Sequence, residues 1–135
     1  MLYISGLHAL NLPCSLDTTG DWHASSMDWE NMCVLDSSFS PWKDYGIEKD
    51  REIPYASGIW AVANHIRACL DLLLMEDFSN AKGMRNDYIG NDAYNKELFS
   101  KVLFLKEDRT LWPGVDSFME KEYLMPWIRY KEKKL

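Results

Sequence analysis

Cys14, Asp17, Asp21 and His23 fall within ten positions on turn-forming backbone (Ser15 to Gly20, SLDTTG), where functional side chains are often presented. A carboxylate beside an imidazole makes an acid–base pair, because the acid fixes the ring's tautomer and raises its basicity. Asp21 and His23 are therefore the candidate catalytic residues. With three histidines and 21 acidic residues in the chain, such a pair also arises by chance. The simpler reading is that Asp21 caps a turn while Trp22 and His23 fix the loop to the core.

Other chemistry fits this region less well. Zinc held by His8, Cys14, His23 and Cys33 would need ligands paired at close spacing, and no two of these are close. Cys14 as a nucleophile with His23 as its base requires the two to meet, and nothing local brings them together. No metal is expected. The chain also lacks G-x-S-x-G, H-E-x-x-H, a Walker loop and a dinucleotide fingerprint, so no cofactor is expected.

Such a loop needs something to rest on. Ser57 to Asp77 has apolar residues at Ile59, Val62, Ile66, Cys69, Leu70 and Leu73, steps of three and four that predict a long buried helix with Ser57 as its N-cap. On that helix Trp60, Asn64, Arg67 and Asp71 form a second stripe that could bind a ligand. Its plainer reading is a solvated or helix-contacting edge with one weak Arg67–Asp71 pair. His65 points elsewhere and reads as a packed core histidine. In the segment Lys82 to Asp87, Arg85 and free backbone N–H groups near a glycine could hold an anion, although an ordinary polar connection explains the same residues.

Composition narrows the field. The 135 residues suffice for one globular domain, expected to span 1–135, and 47% hydrophobic residues with 13% aromatic ones exclude a disordered chain. Three cysteines at irregular spacing and the lack of a charged-then-apolar leader predict a reduced, cytoplasmic protein. The longest apolar run is too short to span a bilayer, so no membrane association is expected. The net charge is −6, with eight acidic and two basic residues in 1–50 and a basic segment at 129–135 (RYKEKKL). An acidic body argues against direct nucleic-acid binding, whose affinity comes mainly from neutralised phosphates.

The order of elements predicts an α+β fold: short strands and loops over about 1–56, packed on a C-terminal bundle of three to four helices, with the central helix at about 57–77. Strands are expected through Tyr3 and Ile4, over Met32 to Leu35 and over Gly46 to Ile53. The segment 21–31 should be a short helix or structured loop. Phe78 to Gly90 should be a polar link, with Asn91 or Asp92 capping the next helix. Pro113-Gly114 should separate that helix from the last one, which Pro126 should break or kink.

Two functions follow. The first is an acidic interaction protein that binds and neutralises a basic protein partner, as an antitoxin, immunity protein or inhibitor does, using Trp22, Trp29 and Trp60 as anchors. Self-association into a homodimer through exposed rings would serve equally to explain the tryptophans. The second is a small hydrolase or transferase for a polar or phosphorylated substrate, with Asp21 and His23 as acid and base and Arg67 or Arg85 as the anion site. The second requires the N-terminal loop to fold over the polar stripe of the central helix.

Overall fold

The computed structural model describes residues 1–134. The fold is α+β: a four-stranded mixed sheet with a C-terminal helical part. In chain order the regular elements are β1 (Leu2–Ile4), α1 (Gly6–Leu10), β2 (Val34–Asp36), β3 (Ile47–Ile53), β4 (Ala56–Ala63), α2 (His65–Leu74), α3 (Phe78–Ala81), α4 (Asn95–Val102), α5 (Trp112–Tyr123) and α6 (Met125–Lys133). A π-helical turn (Met84–Ile89) and several 3-10 turns link them. The sheet order is β2-β1-β4-β3, with β1 antiparallel to β2, parallel to β4, and β3 antiparallel to β4. No helix among the described residues is long and apolar enough to cross a membrane.

The expected central helix is two elements. Residues 56–63 are strand β4, and only His65 to Leu74 are helical. Ile59, Trp60 and Val62 are β-branched or aromatic and suit a pleated strand, and Gly58 sits at φ +100°, outside helical space. Their three- and four-residue spacing was coincidental with that of the helix that follows. The helix is capped by Asn64, not Ser57: the Asn64 side chain accepts a hydrogen bond from the Arg67 backbone N–H at 2.8 Å. Strand β3 pairs with β4 through an irregular register, with Asp50 at φ +56° where one residue bulges.

Helix α2 is the centre of the molecule, buried from His65 to Leu73 and packed against α1, β4, α3, α4 and the π-helical turn. The Arg67–Asp71 pair is therefore no solvated edge. Both side chains are wholly buried, with Arg67 Nε 3.2 Å from Asp71 Oδ1. Arg67 also donates to the Lys43 and Tyr45 carbonyls and to the Tyr3 hydroxyl, and Asp71 accepts from Tyr3 and Ser5 at 2.7 and 2.6 Å. Burial raises the Asp71 carboxyl, with Arg67 and the two hydroxyls opposing it. The network fastens β1 and the turn at 43–45 to α2.

Downstream, the expected link at 78–90 contains α3 and the π-helical turn, and Ala81, Met84 and Ile89 are buried. Pro113 and Gly114 do not separate helices; they lie in the first turn of α5, where proline's missing N–H leaves no bond unmade. Leu98, Phe99, Val102 and Leu105 are buried as their spacing predicts, and α6 starts at Met125 with Pro126 in its first turn.

Candidate functional site

The loop from Leu12 to His23 lies against the start of α2 and is held at both ends. Asn11, which ends α1, accepts from the His23 backbone N–H at 2.8 Å and donates to Asp21 Oδ2 at 3.1 Å. The Asp21 N–H donates to the Leu10 carbonyl at 2.8 Å and the Gly20 N–H to the Tyr88 carbonyl at 2.7 Å. These bonds bring Cys14 and Thr18 to His65, a residue 51 positions beyond Cys14.

His65 Nε2 lies 2.7 Å from the Leu12 carbonyl oxygen, and Nδ1 lies 2.7 Å from Thr18 Oγ1. A carbonyl only accepts, so Nε2 carries a proton. In the neutral ring Nδ1 is then bare, and Thr18 donates to it. The Thr18 oxygen keeps a lone pair for the Cys14 thiol, with Sγ 3.4 Å away. The three side chains thus form a directed chain from thiol to hydroxyl to imidazole. Burial alone would raise the Cys14 thiol, but His65 and Thr18 outweigh it and bring it down to about 7. Burial likewise lowers His65, and the cysteine and the Leu12 carbonyl reverse that to a net rise. The other cysteines go the opposite way, Cys33 and Cys69 both being raised by burial.

The chain Cys14, Thr18, His65 opens into a cleft of about 540 Å³ whose walls include Asp21, Trp22 and Tyr55. Tyr55 stacks on Trp29 with ring centroids 4.3 Å apart, and His8 meets Trp29 edge-on at 5.1 Å. His65 is a packed histidine, and it is also the base nearest the thiol. His23, the partner weighed for Cys14 on sequence, faces a different cleft. His8 has both ring nitrogens engaged, by the Asp28 carbonyl and the Cys33 N–H.

Asp21 and His23 do meet, with Oδ1 and Nδ1 2.5 Å apart, on a ridge between the first cleft and a second of about 580 Å³. Burial raises the Asp21 carboxyl, but His23, the Trp22 N–H and Asn11 prevail and lower it. Between these residues Trp22 is 81% exposed.

The remaining candidates do not assemble. Trp60 lies on β4 and donates to the Ser57 carbonyl; Asn64 is the cap of α2; Arg67 and Asp71 are consumed by their buried network. Arg85 pairs with Asp92 at 3.0 Å and donates to the Tyr123 carbonyl. The backbone N–H groups of Gly83 and Arg85 point at an anion, as the sequence suggests, but it is the chain's own Glu122 at 3.0 and 3.3 Å. Neither arginine is free to hold a phosphorylated substrate.

No family model, curated protein or solved structure matches the chain.

Proposed function

We propose that the chain is a small thiol-dependent enzyme, a hydrolase or transferase that passes an acyl group through Cys14. The observation that carries this reading is the hydrogen-bonded chain from Cys14 through Thr18 to His65 at the floor of an open cleft. In the first step the thiol proton moves to Thr18 as the Thr18 proton moves to His65 Nδ1, leaving thiolate and imidazolium. The thiolate attacks the carbonyl carbon of an acyl donor. As the carbon–leaving-group bond breaks, the leaving group takes back the proton along the same path. Water or a second acceptor then attacks the thioester and regenerates the thiol.

This keeps the hydrolase or transferase reading but changes its residues. Cys14 and His65 replace Asp21 and His23 as the reacting pair, and a phosphorylated substrate is dropped because Arg67 and Arg85 are both engaged. The test is exposure to p-nitrophenyl acetate with intact-mass detection of an acetyl adduct. The reading predicts a burst of p-nitrophenol, an acetyl group mapped to Cys14, and a loss of both in His65→Gln. Acetylation no faster than that of a free thiol, or indifferent to His65, overturns it.

A second reading is favoured by Trp22, whose ring is 81% exposed on a loop braced at both ends. A rigid exposed tryptophan in an acidic chain suits an anchor for a basic protein partner. Trp22→Ala abolishing capture of such a partner, with Cys14→Ser leaving capture intact, would favour this reading over the enzyme.

A further inference from the structure

Building on Cys14 as the nucleophile, we infer that the cleft above it selects a positively charged substrate group, an alkylammonium or a guanidinium, and that Asp21, Trp22 and Tyr55 set this preference. Among the described residues no lysine or arginine lines the cleft, and Asp21 is the one carboxylate on its walls. His23 and Asn11 fix the orientation of that carboxylate, with His23 Nδ1 2.5 Å from Oδ1 and Asn11 Nδ2 3.1 Å from Oδ2. Glu48, which accepts from Ser15 and does not line the cleft, is already matched by Arg51 at 3.3 Å. An anionic substrate would find no lysine or arginine on the walls, and Asp21 would repel it, while the His65 imidazolium is already matched by the thiolate it forms with.

The rings act in the same direction. Tyr55 is 43% exposed, and Trp29 covers one of its faces, so the other is the one available to a ligand. Trp22 stands beside Asp21 with most of its surface free. A cation over such a face gains from the ring's quadrupole, and it gains more when partly desolvated. Asp21 Oδ1 also accepts from the Trp22 backbone N–H at 2.8 Å, which ties the charge to the backbone that carries the ring. The selected group is thus the kind carried by a lysine or arginine side chain or by a small amine.

The experiment uses three methanethiosulfonates on the full chain at pH 8 and low salt: trimethylammonioethyl (cationic), sulfonatoethyl (anionic) and methyl (neutral). In each case the thiolate attacks the sulfenyl sulfur, a disulfide forms, and methanesulfinate leaves. Rates at Cys14 are read by peptide mass spectrometry, with Cys33 in the same molecule as the reference for the overall acidic field. The inference predicts a cationic-to-anionic rate ratio about tenfold higher at Cys14 than at Cys33, within the range for one carboxylate plus a cation–π contact. Asp21→Asn and Trp22→Ala should each lower that ratio about threefold or more by the same reasoning. Dividing each rate by the neutral reagent's rate in the same variant removes any general change in fold or exposure. Equal ratios at Cys14 and Cys33, or a ratio that Asp21→Asn does not move, overturn the inference while a fast neutral reaction keeps Cys14 as nucleophile. Slow reaction of Cys14 with all three reagents overturns the nucleophile itself, and this inference with it.

Discussion

A β-carbon on Gly20 would lie 2.7 Å from Cε1 of His65 and 2.9 Å from the Leu10 carbonyl oxygen. Gly20 also sits at φ +71°, in left-handed space. The loop reaches His65 because this position has no side chain. Gly20→Ala should therefore destabilise the fold by about 1 to 3 kcal/mol, the usual cost of a strained backbone residue. Denaturant unfolding measures that loss, and thiol alkylation should show Cys14 slowed as the loop lifts away from the ring.

Thr18 is the link between thiol and imidazole, so its hydroxyl and its shape can be separated. Thr18→Val keeps the shape and removes the proton path; Thr18→Ser keeps the hydroxyl. Alkylation of Cys14 should be slow in the first and near wild type in the second. The same contacts affect stability. The thiol is held at about 7 in the folded chain, against an ordinary value of 9.0. Between those values the unfolded chain retains a proton that the folded chain has released, so folding is increasingly favoured as pH rises across this window. Wild type should gain stability relative to Cys14→Ser from pH 7 to pH 9, and the gain should be absent below pH 7 and in His65→Gln.

The buried Arg67–Asp71 pair predicts a different pattern. Removing one partner, as in Arg67→Met or Asp71→Asn, should cost about 3 to 5 kcal/mol because a charge stays buried without its counter-charge. Removing both, as in Arg67→Met with Asp71→Leu, should recover much of that loss. Urea midpoints of the three variants check both statements.

Tyr123 is 1% exposed, and its hydroxyl is a buried side-chain oxygen without a hydrogen-bond partner among the described residues. Leaving such a group unpaired costs about 1 to 3 kcal/mol. Tyr123→Phe should raise the thermal midpoint, and a lowered midpoint would show that the hydroxyl is satisfied in solution.

The helix after Asn91 was legible because Leu98, Phe99, Val102 and Leu105 repeat at helical spacing, whereas Pro113 and Gly114 hid the start of the next one. The segment 57–77 misled because Ile59 and Val62 happen to continue the spacing of Ile66, Cys69 and Leu73 backward through a strand. Gly58 and the Asn64 cap were the local signs of a break. The Asp21–His23 contact was legible because its partners lie two positions apart. The link from Cys14 through Thr18 to His65 was not, since the α1 end, the turn at Gly20 and the π-helical turn jointly create it, and no spacing in the sequence encodes that. Arg67 and Arg85 looked available because sequence shows charge but not whether a carboxylate already faces it.

The most direct test of the Cys14–His65 relation is the pH dependence of Cys14 alkylation by iodoacetamide in wild type and His65→Gln. A lowered thiol pKa means that thiolate persists to lower pH, so the wild-type rate should rise with a midpoint near 7 and the variant's midpoint should move up toward 9.0. A midpoint near 9.0 in both proteins would contradict the account.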